Sequence, residues 1–218
     1  MGPITEGPIR VEATADGQMG TNSYLVEDTA SGDAVVIDAN LEPEAMVALV
    51  DERQCRVRAI LLTHTDIDHI AGLRRLREAF GEVPIGVAEA ERATLTGGVP
   101  LREEFGFSVP AEDGIGSLVP GEPWLAGSLR FDVLATPGHS PGGITLVLGR
   151  LLFTGDALFN GSIGRSDFRN SDGDALLEGI RSQLLTRNDA DVVLPGHGPA
   201  TTVGDERRLN PFLQESAR

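Results

Sequence analysis

The sequence predicts one α/β domain with two β-sheets and helices on their outer sides. Apolar runs typical of strands alternate with helical spacings in both halves of the chain. The 218 residues are 40% hydrophobic and 23% charged, a composition that can bury one sizeable core. No low-complexity linker separates the two halves, and we therefore predict a single domain over residues 1–218.

Strand and helix patterns follow each other through the first hundred residues. Runs rich in Val, Ile, Leu and Ala between turn residues favour strands, and apolar residues three and four apart favour helices. Pro43 supports a helix start, because proline is tolerated in the first helical turn. We predict strands at 23–27, 34–38, 56–63 and 84–88, and helices at 43–54, 70–80 and 88–95.

The second half repeats this alternation after one long connection. We predict strands at 129–135, 144–148, 151–153 and 191–194, and helices at 173–185 and 204–212. The stretch from Thr96 to Gly127 is rich in Gly, Pro and Glu, and a connection of that length is typical of a functional loop or lid. We expect its aromatic residues, Phe105, Phe107 and Trp124, to pack against the protein rather than to face a substrate.

Composition excludes several kinds of partner and chemistry. The net charge is −15 and all 18 basic residues are Arg, which argues against binding to nucleic acid or to an anionic membrane. The lack of Lys excludes Schiff-base chemistry, and the single Cys55 excludes a zinc site built from cysteines. No apolar run approaches the ~20 residues of a membrane helix, and the first residues lack the apolar stretch of a signal peptide. We expect a cytoplasmic protein that acts on a small molecule, and the oligomeric state stays open.

The four histidines of the chain are candidates for metal binding. Each follows a strand-like run and lies in a turn rich in Gly, Pro or Asp, with aspartates nearby. These residues are His64, His69, His139 and His197, accompanied by Asp66, Asp68 and Asp156. Neutral imidazole combined with carboxylate is the ligand set of Zn²⁺, Fe²⁺ and Mn²⁺. A surface or capping histidine is the simpler interpretation of any one position, but the four together favour a metal site.

The densest part of this pattern is Thr63-His-Thr-Asp-Ile-Asp-His69. His64, Asp66 and Asp68 alternate by two, which places them on one side of an extended chain. His69 breaks the alternation and faces elsewhere, so one short segment can offer ligands to two neighbouring metal ions. A plain structural alternative is that Asp68 caps a helix beginning near Ile70, which explains one carboxylate but not the histidines.

Three further fragments complete a motif series. They are Thr136-Pro-Gly-His-Ser-Pro-Gly142, Phe153-Thr-Gly-Asp-Ala-Leu158 and Leu194-Pro-Gly-His-Gly-Pro199. Together with the segment from His64 to His69, and in this order, they resemble the metallo-β-lactamase superfamily. Gly161-Ser-Ile-Gly-Arg-Ser-Asp167 is similar to the short glyoxalase II-type hydrolases within it. The resemblance implies a four-layer αββα sandwich with a dinuclear metal site at one edge.

The resemblance also implies a ligand set. His64, Asp66 and His139 would hold one ion, Asp68, His69 and His197 the other, and Asp156 would bridge them. Asp38 matches the aspartate of the family's first motif and would hold a ligand histidine from behind.

Asp66 departs from the usual family pattern, His-x-His-x-Asp-His, because it stands in place of the second histidine. We expect its carboxylate to bind the ion, since its reach from Cβ is comparable with that of the replaced imidazole nitrogen. The alternative is that Asp66 turns away and leaves the first position weak or empty. Zinc is the metal that we expect first, and the carboxylate also admits iron or manganese.

The chemistry that the resemblance implies is hydrolysis of a thioester, or of an ester or lactone, by a metal-bound hydroxide. Asp68 would orient the hydroxide and accept its proton. Arg165 is the candidate contact for an anionic substrate group, with an ion pair to Asp167 as the alternative. Two other functions stay open. One is a persulfide dioxygenase-like oxidoreductase with a single iron held by His64, His139 and Asp156; the other is a degenerate, non-catalytic metal-binding scaffold.

Overall fold

Two mixed β-sheets stack face to face in the computed structural model, which describes residues 2–109 and 111–214. The first sheet contains, in chain order, β1 (Ile4–Glu6), β2 (Ile9–Ala15), β3 (Asn22–Asp28), β4 (Asp33–Ile37), β5 (Arg56–Leu61), β6 (Ile85–Ala88) and β7 (Ile115–Leu118). Its first four strands pair antiparallel, whereas β4, β5, β6 and β7 run parallel to one another.

The second sheet begins with the meander of β8 (Trp124–Ala126), β9 (Leu129–Ala135), β10 (Ile144–Leu148) and β11 (Leu151–Gly155). A separate hairpin of β12 (Leu158–Phe159) and β13 (Ser162–Ile163) follows. The chain then returns to the sheet with β14 (Val192–Pro195), which lies parallel to β11, and β15 (Thr201–Thr202) at the edge.

Helices cover the outer face of each sheet. Those of the first half are α1 (Pro43–Arg53), α2 (Ile67–Ile70), α3 (Leu73–Phe80) and α4 (Arg92–Gly97). Those of the second half are α5 (Gly173–Gly179), continued by a π-helical turn (Ile180–Leu184), and α6 (Val203–Leu209). Within the described ranges, no helix combines the length and the apolar character needed to cross a membrane. The four layers confirm the predicted αββα sandwich.

The core between the sheets explains why the strands read as continuous apolar runs. In β4, Val35 and Ile37 point toward the second sheet, while Ala34 and Val36 point toward the helices. A strand that is covered on both faces has no polar side, so its sequence does not alternate. Tyr24, Phe131 and Phe153 form the centre of the layer between the sheets. Their rings meet edge to face, with centroids 5.4 Å apart for Tyr24 and Phe153.

Several predicted elements differ from the structure. The helix predicted at 70–80 is two helices, α2 and α3, separated at Gly72, where a Cβ atom would lie 2.5 Å from the Asn40 carbonyl oxygen. Because α2 already begins at Ile67, Asp68 lies within its first turn and does not cap it, so the capping alternative is wrong. The connection predicted at 96–127 contains β7 and β8 in its later part. Pro110, within that connection, lies outside the described residues.

Phe153→Ala should lower the free energy of unfolding by about 3–5 kcal/mol. The substitution leaves a cavity between the two sheets, and the sheets cannot move together far enough to fill it. Phe153 is fully buried and touches both Tyr24 and Phe131. Denaturant unfolding followed by circular dichroism measures the change. The control is Leu125→Ala on β8, where the side chain is 68% exposed and the expected change is small. Equal effects of the two substitutions would contradict this account of the core.

Candidate metal centre

The strand topology brings the predicted site residues to one edge of the sandwich. Asp38 directly follows β4, and His64 lies three residues after β5. Asp156 directly follows β11, and His197 lies two residues after β14. Since β4 is parallel to β5 and β11 is parallel to β14, the carboxyl ends of each pair meet at the same edge. His139 joins them from the turn between β9 and β10.

Six of the side chains form two adjacent groups, each with ligand atoms within 4.8 Å of one another. The first group is His64, His139 and Asp156, and the second group is Asp68, His69 and His197. Asp156 lies between them, since its Oδ2 is 3.6 Å from His139 Nε2 and 3.3 Å from His197 Nε2. The arrangement is consistent with a dinuclear centre in which Asp156 is shared.

All four histidines direct Nε2 toward the carboxylates, because their Nδ1 atoms are held from the opposite side. The Nδ1 partners are Thr63 Oγ1 for His64 (3.0 Å), Asp38 Oδ2 for His69 (2.9 Å), the Arg165 carbonyl for His139 (2.7 Å) and the Met19 carbonyl for His197 (3.2 Å). Such partners fix the ring orientation of metal-binding histidines.

Asp38 holds the two segments at the ends of β4 and β5 together. Its carboxylate accepts hydrogen bonds from the Thr63 backbone N–H and hydroxyl, both at 2.8 Å, and also binds His69. The residue is buried and has a φ of 60°, in the left-handed region that non-glycine residues rarely adopt. This places Asp38 behind His69, in contact with no solvent, which is the position that the sequence predicts for it.

The buried polar atoms of the two groups are suited to binding cations. Three buried atoms that face the two groups have no hydrogen-bond partner among the described residues: His64 Nε2, His69 Nε2 and Asp156 Oδ1. A buried polar atom left without a partner is costly, and metal ions held by the two groups would engage all three atoms. Gly196 keeps this space open, since a Cβ atom there would lie 2.2 Å from Asp156 Oδ1 and 2.8 Å from His69 Cε1.

The charges in the site stabilise one another in the absence of metal. Burial opposes protonation of His197, but its hydrogen bonds with Asp156 and Asp68 raise its pKa to about 10. Burial would raise the pKa of Asp156, but the charge of His69 and the bond with His197 hold that pKa well below its usual range. Burial lowers the pKa of His64, which keeps that imidazole neutral. The proton on His197 therefore competes with a metal ion for the same nitrogen.

Asp66 lies directly beside the first group, and its role as a ligand of that group stays a prediction. Its Oδ2 is 2.9 Å from His139 Nε2 and 3.7 Å from His64 Nε2. Arg102 donates to both of its oxygens, from Nε to Oδ1 at 2.7 Å and from Nη2 to Oδ2 at 3.0 Å. Burial would raise the pKa of Asp66, but His139, His64 and Arg102 lower it to about 2. No sequence motif marks Arg102, because it is a lone arginine in a Gly- and Pro-rich connection.

A cleft of about 260 Å³ opens above the two groups. Its walls are largely apolar and include four aromatic side chains, Phe105, Phe107, Phe159 and Phe168. Phe105 and Phe107 line the cleft and are 52% and 47% exposed, so the expectation that they pack away from the cleft is wrong. Trp124 does pack, against the core between the sheets. Arg165 lines the rim of the cleft and forms a two-bond ion pair with Asp167.

Comparisons with known proteins agree with this fold and site. The sequence profile of the metallo-beta-lactamase superfamily matches residues 16–197. The hydroxyacylglutathione hydrolase GloC of Haemophilus influenzae is 32% identical over 90% of this chain and 94% of its own length.

Two crystal structures match closely as well. BLEG-1, a B3 metallo-beta-lactamase, is 32% identical with a TM-score of 0.85, covering 94% of this chain and all of its own. TTHA1623 in a di-iron-bound form is 33% identical with a TM-score of 0.74, covering 98% of this chain and all of its own.

Metal binding to the chelator-treated protein should release protons at pH 7, about one or more per chain. A histidine with a pKa near 10 is protonated at that pH, and it must become neutral to ligate. Metal affinity should accordingly rise as the pH is raised toward 10. Calorimetric titration with Zn²⁺ in two buffers of different ionisation enthalpy measures the released protons. The same apparent enthalpy in both buffers would refute the proposed protonation of His197.

Proposed function

The chain belongs to the metallo-β-lactamase superfamily, and we propose that it is a metal-dependent hydrolase that cleaves a thioester or, second, an ester or lactone. The observation that carries this proposal is the pair of adjacent His/Asp groups that share Asp156 at the bottom of an open cleft. Divalent ions held there would lower the pKa of a bound water to about 7 and so supply a nucleophile at neutral pH. No Ser, Cys or Lys nucleophile is then required.

Asp68 is the residue that we assign to proton transfer. It lines the cleft, and its Oδ2 accepts a hydrogen bond from the Thr21 hydroxyl at 2.7 Å. The same oxygen lies 3.4 Å from His197 Nε2. Burial would raise the pKa of Asp68, but His197, His69 and Thr21 lower it well below its usual range, so the carboxylate is ionised. Thr21 fixes its orientation.

The substrate class rests on the cleft and on one relative. GloC is a hydroxyacylglutathione hydrolase, which supports a thioester as the first choice. The aromatic walls favour an apolar group next to the scissile bond. Arg165 is the proposed contact for an anionic group at the rim: its Nε and Nη2 bind Asp167, and it remains two-thirds exposed. Zinc is the proposed metal; iron is supported by the di-iron-bound relative.

The experiment is reconstitution with zinc, iron or manganese, followed by elemental analysis and a screen of acyl thioesters, esters and lactones. We expect two metal ions per chain and cleavage of at least one thioester. Two bound metals without cleavage of any compound in the screen would count against the hydrolase. Less than about 0.2 metal per chain would favour the non-catalytic scaffold instead.

One observation favours a second candidate function. The first group is two histidines and one carboxylate, the combination typical of non-haem iron oxygenases. A persulfide dioxygenase-like enzyme would contain one iron per chain and consume oxygen with a persulfide substrate. Oxygen uptake measured with the iron-reconstituted protein separates this function from hydrolysis.

Asp68→Asn should reduce turnover of the reconstituted enzyme by about 10²–10⁴, because the amide cannot accept the proton. Steady-state kinetics with the best compound of the screen measures the loss. Metal content and circular dichroism are recorded in parallel, so that loss of metal or fold is recognised. The control is Asp132→Asn, a half-exposed aspartate on β9 far from the cleft, which should keep full activity. An Asp68→Asn variant that retains most of its turnover would remove Asp68 from the mechanism.

A further inference from the structure

Arg102 is a buried arginine whose bonds all lie within the site wall. Its side chain is 4% exposed and lies over the ring of Phe168, 4.2 Å from the centroid. Besides the two bonds to Asp66, Nη2 donates to the His139 carbonyl at 2.9 Å. Nη1 donates to Asn170 Oδ1 and to Ser171 Oγ. All five N–H groups of the guanidinium are thus engaged, and none is free to bind a substrate.

The positive charge of Arg102 lies where it can balance the negative charge of Asp66 beside the first group. Asp66 stands where the family pattern has a histidine, and its carboxylate adds a negative charge next to His64 and His139. By itself, this charge would make the surroundings of the first group more anionic. A guanidinium in a two-bond pair with the carboxylate adds the opposite charge at the same place. Asp66 and Arg102 together are therefore neutral, like the imidazole that Asp66 replaces.

We propose that Arg102 is a positioning residue that neutralises Asp66, so that the first group binds its ion through His64, His139 and Asp156 with the net charge of one carboxylate. This inference rests on the proposed metal-dependent function. Arg102 also ties together the segments that carry Asp66, His139 and Ser171, which line or support the same wall. Ser171 Oγ also donates to the His139 carbonyl at 2.6 Å, so this turn keeps a support when Arg102 is replaced, whereas the charge balance depends on Arg102.

Opposite effects of single substitutions are the signature of this role. Asp66→Asn leaves the Arg102 charge unpaired beside the first group, and the affinity of the first metal position should fall at least about tenfold, since a charge within 4–6 Å shifts charged equilibria by about 1–3 logarithmic units. Arg102→Gln leaves the carboxylate unpaired and should tighten the same position. The double variant Asp66→Asn/Arg102→Gln restores neutrality and should return to within about threefold of the wild type.

Stepwise dissociation constants for Zn²⁺ and Mn²⁺ are measured on the full chain with a competing chelator. The first position is identified with His64→Ala, which removes a ligand of the first group alone. Thermal unfolding of the chelator-treated proteins gives a second readout that needs no metal: each single substitution should lower the Tm, and the double variant should lower it by less than the sum. Arg102→Lys keeps the charge with fewer bonds, and it should retain near wild-type metal affinity despite a lower Tm.

Arg77→Gln is the matched control. It breaks an ion pair that is also largely buried, in which Arg77 Nη1 donates to Glu112 at 2.7 Å, and neither residue belongs to the two metal groups. It should lower the Tm and leave both metal constants unchanged. A double variant as weak in metal binding as Asp66→Asn would overturn the proposal and show that Asp66 is itself a ligand. An Arg102→Gln variant whose first metal position is no tighter than that of Arg77→Gln would also overturn it. Failure of the wild type to bind metal would refute the proposed function instead.

Discussion

The burial of several carboxylates at one sheet edge is the constraint on which the rest of the structure depends. Asp38, Asp66, Asp68 and Asp156 are all buried or nearly so in a chain with a net charge of −15. Ionised carboxylates are stable in such a place only when positive or hydrogen-bonding partners surround them. Backbone N–H groups, hydroxyls, imidazoles and one guanidinium supply these partners, and the proposed metal ions would complete the balance. The loops at this edge are therefore ordered by electrostatics as much as by packing.

The layers of the sandwich make this concentration of charge tolerable. Strands covered on both faces form a rigid frame, and their parallel pairs end at the same level. Glycines then let the chain turn without filling the space between the charged groups. At Gly155, the last residue of β11, the φ is 48° and a Cβ atom would meet the Thr63 hydroxyl at 2.4 Å, so this close approach of the two segments needs glycine. The frame and the glycines together place Asp156 between the two groups.

The sequence predicted the frame well where local pattern decides, and less well where distant residues do. Local patterns are the continuous apolar run of β4 and the motifs around His64, His139 and His197. The run is a strand in the structure, and the three histidines lie in the two metal groups. The division of the helix at Gly72 depends on the close approach of Asn40, thirty-two positions earlier, which no local pattern reveals. β7 was missed because Ile115-Gly-Ser-Leu118 has little strand character and is held by pairing with β6. Arg102 was missed for the same reason, since its partner Asp66 is 36 positions away.

The connection that carries Arg102 also carries Phe105 and Phe107, so one stretch of backbone contributes both to the electrostatics beneath the cleft and to its aromatic wall. Surface loops over such a cleft are ordinarily the part of a scaffold that is easiest to exchange. Here, replacing this connection by one without an arginine at position 102 would leave Asp66 without its guanidinium. A functional exchange of the connection therefore has to include position 66 as well.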